Sequence, residues 1–371
     1  NEQQVELGDE YHGTIVASTA AAPIDNVGAV GVYPQAVLQA FDLWFLSESL
    51  IVQGISRATA ARAGVINLSL GGDEPSRAMY EAIVNAFGRG SIVVAAAGNE
   101  RLREDPQIYP AGFPHVLTVG STDARDRPSQ FSSSSPAVDL AAPGEQIPWQ
   151  HPTDPATYQT VNGTSFSAPQ VAAATAWVWT ARPGIEKTQL FDLMRRSTRD
   201  VAPAGFDRRT GFGILDIPTA LKRALPPIDP MEPNDDVDHV KAHGIFRAAA
   251  RPLTAPGRRR ASLTARVHSA EDPDDVYRFW VPARGEVTAV VNPTADVSVA
   301  AWAVGTRSVY ERGRAKARDL LSASARRGGR TETVRIENTR DRGFYAYLDV
   351  FPAKGARSSR YSLQLSSHAL P

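Results

Sequence analysis

The chain has 371 residues, which exceeds the size at which one hydrophobic core usually divides, so the length predicts two domains. Its 40 basic and 40 acidic side chains balance, and this neutrality argues against nucleic acid or an anionic membrane as the main partner. There is no cysteine, which excludes disulfides, thiolate catalysis and cysteine-ligated zinc.

Helical patterns and short apolar runs alternate along the first two thirds of the chain. A helix is predicted to start at His12, and others are predicted at 48–63, at 76–89 behind a Ser76 cap, and at 165–180 with Pro169 in the first turn. Strands are predicted at 64–70, 91–97 and 116–120, where the apolar runs are nearly continuous. The pattern predicts an α/β fold with a mostly parallel sheet, helices on both faces, and ligands at the carboxyl ends of the strands.

The stretch at 226–238 is rich in proline and acidic residues, has no periodicity, and predicts a linker between domains at 1–225 and 239–371. Beyond it the apolar residues alternate with period two, which predicts a smaller all-β sandwich or jelly roll. Its predicted strands lie at 277–281, 287–288, 296–304, 344–351 and 361–365. The basic runs at 258–260 and 326–327 are interpreted as solvated loop charge.

Three polar side chains occur where these elements begin or end. The sequence Gly-Thr-Ser-Phe-Ser-Ala-Pro at 163–169 places Ser165 at the start of an apolar helix, where backbone N–H groups and the helix dipole stabilise an oxyanion. His12 supplies a general base, and Asn99 follows the strand at 91–97 as an amide donor. Each has an ordinary explanation alone, as a helix cap, a surface histidine and a turn asparagine, but their occurrence together favours catalysis.

The segments around these residues resemble those of the subtilisin family of serine peptidases, in the same order, between about residues 9 and 225. HGTIVAS at 12–18, INLSLGG at 66–72, AAAGNE at 95–100 and GTSFSAP at 163–169 are similar to the family's histidine, substrate-binding, oxyanion and nucleophile segments. VDLAAPG and TGFGILD also fit.

The resemblance implies a serine endopeptidase that hydrolyses protein or peptide substrates through an acyl-enzyme and needs no cofactor for the chemistry. It implies that Ser165 is the nucleophile, His12 the general base and Asn99 the oxyanion donor. Six further residues are expected to contact the substrate: Ser69, Leu70, Gly71, Gly98, Gly163 and Thr164.

The chain departs from the family pattern at Ile15, where many members have a second histidine, and at Ser18, where glycine is common. A larger departure concerns the orienting aspartate, which the family carries in an Asp-Thr/Ser-Gly motif well before the histidine. No such motif precedes His12, and Asp9 is the only aspartate nearby. We expect the orienting carboxylate to lie upstream of Asn1, and the 371-residue chain to show little or no peptidase activity.

Two alternatives to the peptidase remain at this point. An α/β-hydrolase esterase needs the motif G-x-S-x-G, but Ser167 stands where the second glycine would be. A non-catalytic pseudopeptidase would keep the substrate cleft and bind peptides after losing the acid. An upstream sequence with a complete first strand but no aspartate would favour this binding protein.

The C-terminal region resembles the β-sandwich domains, called pre-peptidase C-terminal domains, that are appended to many secreted bacterial peptidases. The resemblance implies secretion, and we expect a monomer without a membrane span. Structural calcium is the one metal considered, because calcium prefers oxygen ligands. The acidic clusters that could bind it are Asp235, Asp236 and Asp238, and Glu271, Asp272, Asp274 and Asp275.

Overall fold

The computed structural model of the protein describes residues 11–41, 47–151, 154–201, 203–310 and 314–370. The chain divides into two compact units, Asn1–Pro227 and Ile228–Pro371. Each unit has its own hydrophobic core. Within the described ranges, no helix is long and apolar enough to cross a membrane.

The first unit is built on a six-stranded sheet with the order β1-β2-β3-β4-β8-β7. Strands β1 to β4 and β8 pair in parallel, and β7 pairs antiparallel with β8, so the predicted α/β fold is confirmed. A separate hairpin joins β5 and β6. The strands of this unit are β1 (Val65–Leu68), β2 (Ile92–Ala96), β3 (Val116–Thr122), β4 (Val138–Pro143), β5 (Ile147–His151), β6 (Asp154–Val161), β7 (Thr198–Arg199) and β8 (Ile214–Leu215).

Helices cover both faces of this sheet. Val94 of β2 belongs to the core on one face, whereas its neighbours Val93 and Ala95 belong to the core on the other. A strand buried on both sides has the near-continuous apolar sequence from which it was predicted. The helices are α1 (His12–Ala21), α2 (Glu48–Ala60), α3 (Arg77–Gly88), α4 (Thr164–Ala181), α5 (Lys187–Arg196) and α6 (Ile217–Lys222).

The predicted helix starts agree with the structure where a side chain caps the helix. The Ser76 hydroxyl accepts a hydrogen bond from the Met79 N–H at 3.2 Å, as the sequence predicted. Helix α4 begins at Thr164, one residue before the predicted start, and it is buried along most of its length. The β5–β6 hairpin and α5 were not predicted from the sequence.

The second unit contains two four-stranded antiparallel sheets, with the orders β10-β15-β12-β13 and β14-β11-β16-β9. Apolar residues of both sheets, such as Phe279 and Leu363, form one core, which confirms the predicted all-β fold class. The elements are α7 (Val237–Val240), β9 (Arg260–His268), β10 (Asp275–Val281), β11 (Gly285–Pro293), β12 (Val297–Trp302), α8 (Arg314–Asp319), β13 (Leu320–Ser324), β14 (Glu332–Asn338), β15 (Phe344–Pro352) and β16 (Ser358–Ala369).

Two local interpretations differ from the structure. The segment predicted as a linker, 226–238, is exposed only near its start: Asn234 is fully buried, and its carbonyl oxygen accepts a hydrogen bond from the Val276 N–H at 2.8 Å. Most of the segment therefore belongs to the second unit. The basic run at 258–260 is also not entirely a loop, because Arg260 begins β9.

Candidate active site

His12 lies in the first turn of α1, where a small apolar cluster fixes the position of the helix. Ile15, one turn further along α1, is fully buried against Trp149, Val161 and Phe166. The ring centroids of His12 and Phe166 are 5.7 Å apart. The cluster thus brings His12 next to the beginning of α4. It also shows that Ile15, one of the departures from the family pattern, is a packing residue.

Ser165 lies in the first turn of α4 and is half-buried. The hydroxyl group of Ser69, just beyond β1, donates a hydrogen bond of 2.7 Å to the carbonyl oxygen of Ser165. The Asn67 amide in turn donates to the Ser69 hydroxyl at 3.0 Å. The carboxyl end of β1 is therefore tied to the residue that the sequence predicts as the nucleophile. The Ser69 hydroxyl is used in these two hydrogen bonds. We therefore expect Ser69 to contact an extended substrate through its backbone.

Asn99 follows the carboxyl end of β2, and its amide group has a defined orientation. The Asn99 Oδ1 atom accepts hydrogen bonds from the backbone N–H and the hydroxyl of Thr164, each at 3.0 Å. Since the carbonyl side of the amide is used, Nδ2 remains as the donor that faces the turn before Ser165. A Cβ atom built on Gly163 would lie 3.6 Å from this Nδ2. Gly163 therefore keeps the space beside the amide donor open.

Thr164 is placed differently from the expected substrate contact. It is only 1% exposed, and its hydroxyl accepts a hydrogen bond of 3.3 Å from the Gly98 N–H while donating to Asn99. Its side chain thus lies behind the oxyanion candidate and joins two loops. The sequence did not predict that Thr164 positions Asn99, because the amino-acid sequence of this block does not show which side chains point into the protein.

Gly71 and Gly98, both expected to border the substrate cleft, lie against the same side chain. A Cβ on Gly71 would approach Ile108 Cγ2 to 2.6 Å, and a Cβ on Gly98 would approach Ile108 Cγ1 to 2.5 Å. Gly98 also has φ +104, which side chains disfavour. Gly98 therefore requires glycine, and a side chain at Gly71 would displace Ile108. Ile108, itself buried, was not identified from the sequence, and the short intervening loop carries no motif that would reveal it.

Further polar contacts surround this cleft. The Glu100 carboxylate accepts hydrogen bonds from the Asn99 N–H at 2.5 Å and from the Ser133 hydroxyl at 3.2 Å. The backbone of Gly72, next to the expected substrate edge of Leu70 and Gly71, pairs with Tyr109 through two antiparallel hydrogen bonds of 2.9 and 2.7 Å. The hydrogen bonds between Gly72 and Tyr109 thus support the segment at 69–71. Those of Glu100 support the loop at 98–100. Asp9 lies outside the described residues.

Comparisons with known proteins identify the family to which the chain belongs. A sequence profile described as the Subtilase family matches residues 1–213. The chain is 33% identical over 217 residues to subtilisin DY from Bacillus licheniformis, covering 57% of this chain and 77% of that protein. It is 31% identical over 211 residues to the minor extracellular protease Epr from Bacillus subtilis, covering 56% of this chain and 32% of the relative.

The fold of the first unit also has solved counterparts. The crystal structure of MycP1 with its N-terminal propeptide removed matches with a TM-score of 0.52 and 28% sequence identity, covering 58% of this chain and 81% of that chain. The profile match extends over more than half of the 371 residues and includes His12, Asn99 and Ser165. The chain therefore belongs to the subtilase family of serine peptidases.

Proposed function

We propose that this serine peptidase is a secreted endopeptidase that cleaves protein substrates through an acyl-enzyme formed on Ser165. One observation carries the proposal: residues 164–166 contact both other candidate catalytic groups. Thr164 hydrogen-bonds to the Asn99 amide, and Phe166 packs beside the His12 ring. A nucleophile, a base and an oxyanion donor held around one helix start is the arrangement that acyl transfer to serine requires.

The steps follow from the chemistry of these groups. Ser165 attacks the scissile carbonyl carbon while His12 accepts its proton, and His12 then returns the proton to the leaving amine. The negative charge that develops on the carbonyl oxygen is stabilised by the Asn99 Nδ2 and by the N–H of Ser165 at the start of α4. Water next attacks the acyl-enzyme, again with His12 as the base.

The mechanism also uses a carboxylate that accepts a hydrogen bond from the second imidazole nitrogen of His12 and stabilises the imidazolium. We assign this role to a segment that precedes His12 in the chain order of the family. Within the printed sequence, Asp9 is the first residue to mutate in a test of this assignment.

We assign substrate binding to the segment at 69–71 and to the loop at 98–100. An extended peptide would pair with the backbone at 69–71, and its residue before the scissile bond would enter the space bordered by Gly98 and Ile108. Recognition through backbone hydrogen bonds suits protein substrates, since every peptide offers the same donors and acceptors. Secretion is supported by the similarity to Epr, whose name describes an extracellular protease.

Covalent labelling tests the nucleophile directly. A fluorophosphonate probe should label Ser165, and Ser165→Ala should abolish both labelling and hydrolysis of a succinyl-peptide anilide. The labelling is measured on the 371-residue chain and on the same chain extended before Asn1 by a strand that carries the family's Asp-Thr/Ser-Gly motif, with the modified residue located by peptide mass spectrometry.

Ser167→Ala is the matched control, because Ser167 lies in the same helix turn but is fully buried, and its hydroxyl donates to the Pro143 carbonyl oxygen at 3.2 Å. This variant should still be labelled at Ser165. Labelling at any other serine would contradict the proposal, and failure of both chain forms to react would favour the peptide-binding pseudopeptidase.

A further inference from the structure

The Ile108 side chain lies between the two segments to which substrate binding is assigned. It is 4% exposed and reaches the backbone of both segments. A Cβ atom added to Gly71 would lie 2.6 Å from Ile108 Cγ2, and one added to Gly98 would lie 2.5 Å from Ile108 Cγ1. Carbon atoms in ordinary contact are about 3.5–4.0 Å apart. The two branches of this one side chain therefore occupy the space beside both glycines.

Glu100 and Ser133 border the same space next to Gly98. A Cβ atom on Gly98 would also meet the Glu100 carboxylate, and it would lie 2.9 Å from the Ser133 hydroxyl oxygen. The Ser133 hydroxyl donates a hydrogen bond to the Glu100 carboxylate at 3.2 Å and accepts one from the Glu100 N–H at 3.0 Å. A large substrate side chain that entered this space would have to displace Ile108 or separate this pair.

The backbone around Ile108 is held in place by the residues that follow it. The Ile108 carbonyl oxygen accepts a hydrogen bond from the Gly112 N–H at 2.7 Å. Tyr109 exchanges two backbone hydrogen bonds with Gly72, and its ring centroid lies 4.7 Å from that of Phe113. Isoleucine is branched at Cβ, which leaves it few side-chain rotamers. A movement of Ile108 away from the two glycines would therefore require this backbone to move as well.

We propose that Ile108 restricts the substrate residue before the scissile bond to glycine, alanine or serine. The proposal rests on the peptidase function proposed above and specifies the substrates of the same site. When a peptide pairs with the backbone at 69–71, this residue is directed toward Gly98 and Ile108. A methyl or hydroxymethyl group needs little space there, whereas the side chains of phenylalanine, tyrosine and leucine need the volume that Ile108 already fills. Forcing a large group into filled space is destabilising, so peptides with such residues are cleaved slowly.

Ile108 would supply a selectivity that the rest of the substrate contacts lack. Backbone hydrogen bonds to the segment at 69–71 are the same for every extended peptide, so they do not distinguish one side chain from another. The side chain before the scissile bond is distinguished only by the space that receives it. Protein segments rich in alanine, glycine and serine are therefore the expected substrates.

Peptide anilides that differ only in the residue before the scissile bond test the proposal. The enzyme is the chain extended before Asn1 as for the labelling, and its active sites are titrated with the fluorophosphonate. This probe carries no amino-acid side chain, so its reaction with Ser165 reports the nucleophile alone. The parent should have a kcat/KM at least about 100-fold higher for alanine than for phenylalanine, because even one methylene group in a pocket changes this ratio by about 10–200-fold.

Two substitutions of Ile108 should change this preference. Ile108→Gly should raise the phenylalanine-to-alanine ratio of kcat/KM by at least about 100-fold, and Ile108→Ala, which removes less volume, by about 10-fold. Ile185→Ala is the matched control, because Ile185 is 6% exposed and packs in a core of the same unit. The control should keep the ratio of the parent. Both substrates are measured on one sample, so a loss of folded enzyme cancels in the ratio.

The labelling of Ser165 separates a failure of this proposal from a failure of the peptidase function. A parent that is labelled at Ser165 but cleaves after phenylalanine as fast as after alanine would overturn the role of Ile108 and leave the peptidase function intact. Unchanged ratios in both Ile108 variants would overturn it too, as would an equal change in Ile185→Ala, which would show a general loosening of the core. A parent that is not labelled at Ser165 would overturn both proposals.

Discussion

At the scale of single residues, Thr164 determines the direction in which the Asn99 amide points. The Asn99 Oδ1 accepts both the backbone N–H and the hydroxyl of Thr164, so a flipped amide would place its NH₂ group against two donors. A fixed donor stabilises a developing charge without reorganisation when the reaction occurs. The hydroxyl of Thr164, which also accepts a hydrogen bond from the Gly98 N–H, should thus affect the turnover number through Asn99.

A double-mutant cycle measures this coupling. In the active enzyme, Asn99→Ala should lower kcat by about 10²–10³-fold with little change in KM, the loss known for the oxyanion asparagine of subtilisin itself. Thr164→Val should lower kcat by a smaller factor, and Thr164→Ser should restore it. The double variant Asn99→Ala/Thr164→Val should be no slower than Asn99→Ala alone. Additive losses would show that Thr164 acts independently, and unchanged kcat in Asn99→Ala would remove Asn99 from the mechanism. Asn85→Ala, on α3, is the control.

His12, Asn99 and Ser165 could be selected from the sequence because each stands in a short block whose composition serves a local geometry, such as a glycine turn before a helix. The supporting residues could not. Ile15 occupies a position where the family often has a histidine, and only its contact with Phe166 shows that it packs. Ile108 joins the two edges of the cleft across about 40 positions of sequence. Such contacts depend on tertiary packing, which local patterns do not encode.

At the scale of elements, a buried ion pair connects α5 to the sheet. Arg195 Nε lies 2.7 Å from Asp139 Oδ1 of β4, and both side chains are almost fully buried. Asp139 Oδ2 also accepts a hydrogen bond of 2.9 Å from the Thr118 N–H of β3. The guanidinium group lies 5.4 Å from the Phe212 ring centroid, which adds a cation–π contact. The removal of Arg195 would take the ion-pair partner away from a buried carboxylate, which is strongly destabilising.

Substitution of adjacent arginines tests this contribution in the Ser165→Ala background. Arg195→Met should lower the free energy of unfolding of the first unit by about 3–5 kcal/mol, because Asp139 remains charged and buried. Asp139→Asn/Arg195→Met should lose less than Arg195→Met. Arg196→Met is the matched control: Arg196 is partly exposed and pairs with Asp192 at 2.8 Å, so its loss should cost less than about 1 kcal/mol. Urea denaturation gives the values, and equal losses for the two arginines would contradict the assignment.

The same elements show where sequence patterns succeed and fail. Helix α3 was predicted closely because Ser76 is a preferred N-cap. Helix α5 was missed because its N-cap is Glu186, an uncommon cap, although Gln189 completes a capping box. The β5–β6 hairpin was missed because Pro148 and Pro155 interrupt its strands, and proline argues against strand structure in a sequence.

At the scale of the whole molecule, residues 228–238 have a composition that does not reveal where they pack. The change from helical to period-two patterns places a boundary near residue 226, and the structural division lies after Pro227. Residues 228–238 have the composition of a linker, yet Asn234 hydrogen-bonds to Asp275 across 41 positions. A proline- and acid-rich segment has the same sequence pattern whether it forms an exposed linker between domains or packs against one of them. The two cases differ only in contacts that arise after folding.

We propose that the second unit folds alone, and that its stability depends on which boundary is used. A fragment of residues 228–371 should unfold cooperatively, whereas a fragment of residues 239–371, which begins at the boundary expected from the sequence, should be several kcal/mol less stable. The shorter fragment loses Val237, whose full burial is worth about 1.5–3 kcal/mol, and two hydrogen bonds of Asn234 worth about 0.5–1.5 kcal/mol each.

Urea denaturation of both fragments gives the comparison. A third fragment, 222–371, is the control for length, because the six residues that it adds to 228–371 lie outside the second unit and are largely exposed. It should match 228–371 in stability, whereas 239–371 should be less stable. Equal stability of all three fragments would show that residues 228–238 are a tether after all, as their composition suggests. In that case the burial of Asn234 and Val237 would contribute nothing measurable to the stability of the second unit.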